Sequence, residues 1–309
     1  MRGMLCTTLI TLLLAADPQV AAAEPATQPI KAITWNVWNG FHQHTQVDAA
    51  VKWIKEQQPD VVALQELVGF DASDLAAVAA RWGHPHSLIC KEGGYPVGLT
   101  SNQPIELIER RTEGMHHGFL HARCADIDWF VVHLHPGDWA FRHREATTLA
   151  KAIAPSIQAG RRVCVLGDFN AHSSRDAVHL SGQELLRQAR DIGGQLRDHQ
   201  FDFTVMQVFA DLTLVDVCDL RLAEHPHRAG TYPTTVLDHA STAKSQPQWI
   251  ERIDYVLLDP NTAGACLTVE LPRGGALEVV SDHYPIIFTL PRTTTVLPKT
   301  KDTTQHDSP

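Results

Sequence analysis

The run Arg162-Val163-Cys164-Val165-Leu166, closed by Gly167-Asp168-Phe169-Asn170, sets the tightest limit on how this chain folds. A short apolar run rich in β-branched residues and bounded by glycine reads as a buried strand. Ala171-His172-Ser173-Ser174 follows and reads as a loop. Asp168 and Asn170 therefore stand at a strand end. Two residues apart in an extended chain, they point to the same side. A carboxylate and a carboxamide so placed can hold a water or a phosphate oxygen between them. The plainer reading is an Asp and an Asn that terminate a turn.

Five other stretches repeat the pattern. They are Ile33-Thr34-Trp35-Asn36-Val37-Trp38-Asn39-Gly40, Pro59-Asp60-Val61-Val62-Ala63-Leu64-Gln65-Glu66, Val131-Val132-His133-Leu134, Arg252-Ile253-Asp254-Tyr255-Val256-Leu257 and Ser281-Asp282-His283-Tyr284-Pro285-Ile286. Each sets one polar or ionisable residue in or at the end of an apolar strand. Burying such groups is costly unless they pair or bind metal. One explanation covers all six: strand ends converging around a hydrated cation.

In this order the six stretches resemble the endonuclease/exonuclease/phosphatase superfamily, the DNase I-like fold, over about residues 30–290. Gly-Asp-Phe-Asn and Ser-Asp-His-Tyr-Pro-Ile are fairly specific, Gln-Glu is weak, and the ordered set is strong. The resemblance implies an α/β (α+β) fold, a four-layer sandwich of two packed mixed β-sheets flanked by helices. The residue pattern alone gives α/β with mixed sheets.

Local signals fill in the order of elements. Strands are expected at 30–37, 61–64, 86–90, 97–101, 105–109, 118–124, 128–134, 252–258, 266–271 and 286–290. The closely spaced ones between 86 and 134 suggest antiparallel pairing. Helices are expected at 45–58, ended by Pro59, at 71–82 capped by Asp71 or Ser73, at 142–157 with an irregular end at Pro155, and at 181–196. A helical turn fits 205–210, and 212–218 reads as a strand or helix end. Residues 222–250 read as a long loop, and such loops tend to be functional.

The organisation expected is a removable leader over 1–23, a catalytic domain over 24–290 and a disordered tail over 291–309. Arg2, an apolar run from Met4 to Ala16 and Ala21-Ala22-Ala23 have the order of a secretory signal. Export, to a periplasm or beyond the cell, follows from it, with no membrane span left after cleavage. Removal of the leader leaves Cys90, Cys124, Cys164, Cys218 and Cys266 in apolar runs, where cysteine acts as a small hydrophobe. One disulfide is open to them, and no Cys/His zinc spacing is present. The net charge of −9 makes a poor non-specific clamp for nucleic acid.

Glu66, a carboxylate after an apolar strand with Asn36 at hand, offers hard oxygens suited to Mg²⁺, with Mn²⁺ as a substitute. A surface or capping Glu is the bland alternative. The resemblance implies a second carboxylate, Asp282, near that ion. His283 is the acid-base group or phosphate stabiliser, since imidazole changes protonation near neutral pH. Asp254 fits the family's position for its orienting partner; a salt bridge to Arg252 is the alternative. By the same resemblance Asp168 polarises the attacking water, Asn170 holds a phosphate oxygen, and His133 neutralises phosphoryl charge. Here the usual Asn-Thr-His-Leu is replaced by Val131-Val132-His133-Leu134 and then His135. Strand alternation would put His133 and His135 on one face, so both are substrate-binding candidates, His133 first.

Outside this set, His116-His117-Gly118 reads as a solvated turn or a pocket edge, and Arg142, His143 and Arg144 as a cationic turn or phosphate contacts. The loop Gly230-Thr231-Tyr232-Pro233 is a candidate pocket wall. No aromatic-plus-basic track marks a nucleic-acid groove, and no apolar hairpin marks membrane insertion. The reading is a secreted, metal-dependent hydrolase of phosphate esters, foremost a phosphodiesterase acting as a monomer. A phosphomonoesterase or a catalytically silent binding module on the same fold are the alternatives.

Overall fold

The computed structural model describes residues 28–181, 196–222, 230–239 and 250–292. The expected leader, most of the 181–196 helix, parts of the 222–250 loop and the tail from 293 lie outside the described residues.

Twelve strands form two six-stranded sheets. The first has the order β11-β12-β1-β2-β4-β3, from β1 (Ile30–Asn36), β2 (Val61–Gln65), β3 (His86–Ile89), β4 (Gly98–Ser101), β11 (Thr268–Glu270) and β12 (Ile286–Leu290). The second has the order β5-β6-β7-β8-β10-β9, from β5 (Glu106–Arg111), β6 (Phe119–Cys124), β7 (Ile127–His133), β8 (Arg162–Asp168), β9 (Val215–Asp216) and β10 (Asp254–Leu258). The short strands do pair antiparallel, as expected, but not as one group: β4 closes on β2 and β3, and the chain then crosses to open the second sheet with β5. The segment 212–218 resolves into β9 followed by a helix, Val217–Arg221.

Burial on both faces explains why the strands read as continuous apolar runs. In β1, Ile30 and Ala32 face the second sheet, where they meet Trp129, Val131, Cys164, Leu166 and Val256. Ile33 and Trp35 face outward onto α1 (Val47–Gln57) and α2 (Ala72–Arg81) through Val51, Ile54 and Leu75. On the other outer face Phe130, Val132, Val163 and Val165 pack on α3 (Trp139–Gln158) and α4 (Thr204–Asp211) through Leu149, Ile153, Val205 and Phe209. Helix, sheet, sheet, helix make four layers.

Asp71 caps α2 with a reciprocal capping box to Asp74. Asp138 caps α3, which starts three residues before the expected Arg142 because the Asp138 carboxylate accepts the Ala140 and Phe141 N–H groups. The five described cysteines are all free and buried. They serve the core, and the disulfide left open by the sequence is not formed among them. No helix among the described residues is long and apolar enough to cross a membrane.

Candidate active site

Three strand ends are in register across the second sheet. β7 runs parallel to β8 with His133 opposite Asp168, and β10 runs antiparallel to β8 with Asp254 opposite Asp168. Non-local pairing thus lines up three residues that are far apart in sequence. Gly167 permits it. Its φ is +136°, and a Cβ there would sit 2.1 Å from the Val132 carbonyl oxygen. Only glycine tolerates both the backbone conformation and the approach.

The first sheet supplies the facing half. β1 and β2 are parallel, with Asn36 opposite Gln65, so Glu66 follows at the same end. β12 is antiparallel to β1, which brings Ser281–His283, just before it, to that end as well. Ser281 Oγ donates to the Asn36 carbonyl at 2.6 Å, and Trp35 Nε1 donates to the His283 carbonyl at 2.9 Å, fixing the segment.

Eight of the nine sequence candidates meet there. Asp168 Oδ2 lies 2.9 Å from Asn36 Nδ2, 3.5 Å from His133 Nε2 and 3.9 Å from His283 Nε2. His283 Nδ1 lies 2.8 Å from Asp254 Oδ2. Arg252, the alternative partner for Asp254, pairs instead with Asp176 and Asp216. Glu66 Oε1 accepts from Asn36 Nδ2 at 3.1 Å and stands 3.9 Å from His133 Nε2. Asn170 N donates to Asp168 Oδ1, and its Nδ2 to the Leu134 carbonyl. Asp282 is buried, and its Oδ1 has no hydrogen-bond partner.

Two expectations need correction. The Asn36 oxygen, expected to face a metal, accepts from Trp38 N at 3.0 Å. Its nitrogen faces the acids, so Asn36 serves as a donor that joins Glu66 to Asp168. His135, a ninth candidate, does not join the acids. β7 ends at His133, so strand alternation no longer governs residue 135. Its Nδ1 instead accepts the N–H groups of Gly137 and Asp138.

Two further contributors are settled only by the fold. After Asn36 the chain takes a left-handed turn with positive φ from Trp38 through His44. This strained run, costing roughly 1–2 kcal/mol per non-glycine residue, aims Asn39 N at Glu66 Oε2 (3.0 Å) and Gly40 N at the Glu66 carbonyl (2.7 Å). Asn39-Gly40 was the sole local signal. The second is His117, left open by the sequence between a solvated turn and a pocket edge. It is buried, and its ring stacks on His133 with centroids 4.0 Å apart and planes 14° apart. The 230–233 loop does wall the site: Thr231 Oγ1 accepts from Asp254 N, and the Tyr232 ring lies 4.8 Å from that of His283.

Burial acts against the His283 imidazolium, yet Asp254, then Asp168 and Asp282, hold its pKa well above the ordinary value. Burial lowers His133 far below the ordinary range, reinforced by His117 and His283, so it is a neutral imidazole. Burial raises the Asp168 carboxyl. It raises that of Asp282 to about 7, opposed by His283 and aided by Glu66. Asp168, Asp254 and Asp282 thus surround one imidazolium, with Glu66 beside Asp282. Asp168, Asp254 and His283 also place ligand atoms within 4.8 Å of one another, though His283 spends its Nδ1 on Asp254. An excess of buried carboxylates with an orphaned Asp282 oxygen could hold a hard divalent cation.

The sequence pattern of the Endonuclease/Exonuclease/phosphatase family matches residues 33–283. No curated protein sequence matches the chain. Among solved structures it is similar to an AP endonuclease from Archaeoglobus fulgidus, with TM-score 0.65 at 18% identity over 84% of this chain and 99% of that one. It is similar to a 3′-5′ exonuclease from Neisseria meningitidis, with TM-score 0.63 at 21% identity over 85% and 100%. It is also similar to a Neisseria 3′ phosphatase bound to product DNA hairpin, with TM-score 0.62 at 21% identity over 84% and 98%. At these identities the likeness is one of fold.

Proposed function

Since this chain belongs to the endonuclease/exonuclease/phosphatase family, a family of phosphoester hydrolases, we propose that it is a divalent-metal-dependent phosphodiesterase that directs water in line at phosphorus. The observation that carries this reading is the Asp254–His283–Asp168 line beside a buried Asp282 whose Oδ1 has no hydrogen-bond partner.

Glu66 and Asp282 would hold the cation, with Asn36 fixing Glu66 as a donor. Mg²⁺ suits these oxygens, and Mn²⁺ would substitute. A bound cation would neutralise charge developing on the phosphoryl oxygens. Asp168 Oδ2 takes the proton of the attacking water, held in place by Asn36 Nδ2 and Asn170 N. His283, tied at Nδ1 to Asp254, presents a protonated Nε2 to the developing charge. His133 presents a neutral Nε2 beside it, a hydrogen-bond donor rather than the cation expected from the sequence. Preorganised donors of this sort supply the largest share of transition-state stabilisation. Asn170 stands at the same edge as a phosphate contact. Export is part of this reading, supported by the charged, apolar and small-residue order of residues 2–23.

The test is p-nitrophenol release from bis(p-nitrophenyl) phosphate and from p-nitrophenyl phosphate, with Mg²⁺ or EDTA, beside His283→Ala. EDTA-sensitive diester cleavage, lost in the variant, is expected. Cleavage of the monoester alone would replace phosphodiesterase by phosphatase. No cleavage of either ester under any divalent ion would sink the enzyme reading.

A further inference from the structure

Phosphate cleavage uses neither His116, His117 nor His135, yet their rings form one run that starts on the reactive His133. His117 stacks on His133, His116 lies 4.3 Å from His117, and His135 lies 4.3 Å from His116. Phe141 extends the run 5.2 Å beyond His135, and Tyr95 flanks His117 at 5.4 Å. The run starts buried, with His117 only 4% exposed, and opens to solvent at Tyr95, 42% exposed.

The wall is fixed in advance. The fully buried Glu145 bridges its two segments, accepting His116 N at 2.6 Å and His135 N at 2.7 Å. Arg142 Nη1 holds the His135 carbonyl and Lys91 Nζ the His116 carbonyl. Rings held in place beforehand bind a partner with less ordering cost. His117 also keeps Nε2 buried without a hydrogen-bond partner. A phenylalanine would fill that space without this cost, so packing alone does not account for the histidine. Burial holds all three imidazoles below their ordinary pKa, His117 at about 3, so the faces are uncharged at neutral pH.

Neutral flat rings with polar edges, continuous with a phosphate-cleaving centre, suit one kind of neighbour. A second phosphate would call for cations aimed at it, whereas Lys91 and Arg142 are turned to the backbone carbonyls of His116 and His135, and a quaternary ammonium would call for an electron-rich cage. A nucleobase needs only a π-face, with roughly 1–3 kcal/mol gained per stacked base. We propose that the His116–His117–His135 wall, edged by Tyr95 and Phe141, is a specificity subsite for the nucleobase adjoining the scissile phosphate, which makes the substrate a nucleotide ester. This rests on the hydrolase reading given above.

Calorimetric titration of the full chain in Mg²⁺ buffer with thymidine 5′-monophosphate, ribose 5-phosphate and phosphorylcholine tests it. The nucleotide should bind at least tenfold tighter than the sugar phosphate, and His116→Ala and Tyr95→Ala, both at exposed positions, should each shrink that ratio about fivefold or more. Equal binding of nucleotide and sugar phosphate overturns the proposal, as does an unchanged ratio in both variants. Tightest binding of phosphorylcholine overturns it in favour of a cationic head group. If p-nitrophenyl esters are cleaved while no nucleotide binds, the subsite fails and the hydrolase stands. If the base-dependent ratio is found without any ester cleavage, the hydrolase reading fails and the subsite stands.

Discussion

Strand β7 carries a buried ionisable residue at each end, and the two ends are built on opposite terms. At one end Asp128 is wholly buried and saturated. Arg123 Nε donates at 2.8 Å, Ser156 Oγ at 2.7 Å and Arg161 Nε at 2.9 Å. Burial opposes its charge, but the bonds from Arg123, Ser156 and Arg161 outweigh it, and its pKa falls below the ordinary value. At the other end His133 faces Asp168 among carboxylates with too few cations, and Asp282 keeps an oxygen unpaired. The strand and its burial are shared. The end with every lone pair answered stabilises the fold, and the end with polar groups left open is held ready for a ligand.

Substitution at each end should therefore fail in a different way. His283→Ala should lower kcat/KM by about 10³-fold, within the range for loss of acid-base assistance, with little change in melting temperature. Asp128→Ala should do the reverse. It should cost about 3 kcal/mol, as expected when one partner of a buried ionic cluster is removed, while the folded fraction keeps its kcat. A large stability loss in the first variant, or a large kcat loss in the second, would break the comparison.

Metal should act on one end only. Mg²⁺ at 100 times its Kd should stabilise the protein by about 2.7 kcal/mol, seen as a higher melting temperature than in EDTA. Asp282→Asn should erase that rise and Asp128→Ala should leave it intact.

The pH dependence of the saturated end has a definite sign. A folded pKa below the unfolded one gives stability that is present above the unfolded pKa and lost as pH falls through the folded one. The stability gap between wild type and Asp128→Asn should hold from pH 5 to 7, then close in strong acid, below the ordinary carboxylate range. Smallest of all, the exposed Arg81–Asp48 pair, with Asp48 93% exposed, should contribute less than about 1 kcal/mol. Asp48→Ala should alter neither melting temperature nor rate measurably.

Much of the candidate site was legible beforehand because strand ends are local events. Apolar runs placed Glu66, Asp168 and His283 at strand ends and Asp254 inside an expected strand that in fact begins there, and all four join the site. Asp128 was not legible, since an Asp within an apolar run looks alike whether arginines or a vacancy await it. His117 stayed undecided between turn and pocket edge because His-His-Gly gives a turn signal and its stacking partner, His133, lies on another strand.

From its local pattern the chain already shows where most strands lie, which residues are apolar on both faces, and which polar groups have to be explained. Those properties depend on neighbours a few positions away. Tertiary structure alone decided the in-register row of His133, Asp168 and Asp254, the donor role of Asn36, the neutral state of His133 and the ring wall beyond it. Each depends on which distant strands pair and how far water is excluded, and neither is written in any short stretch of chain.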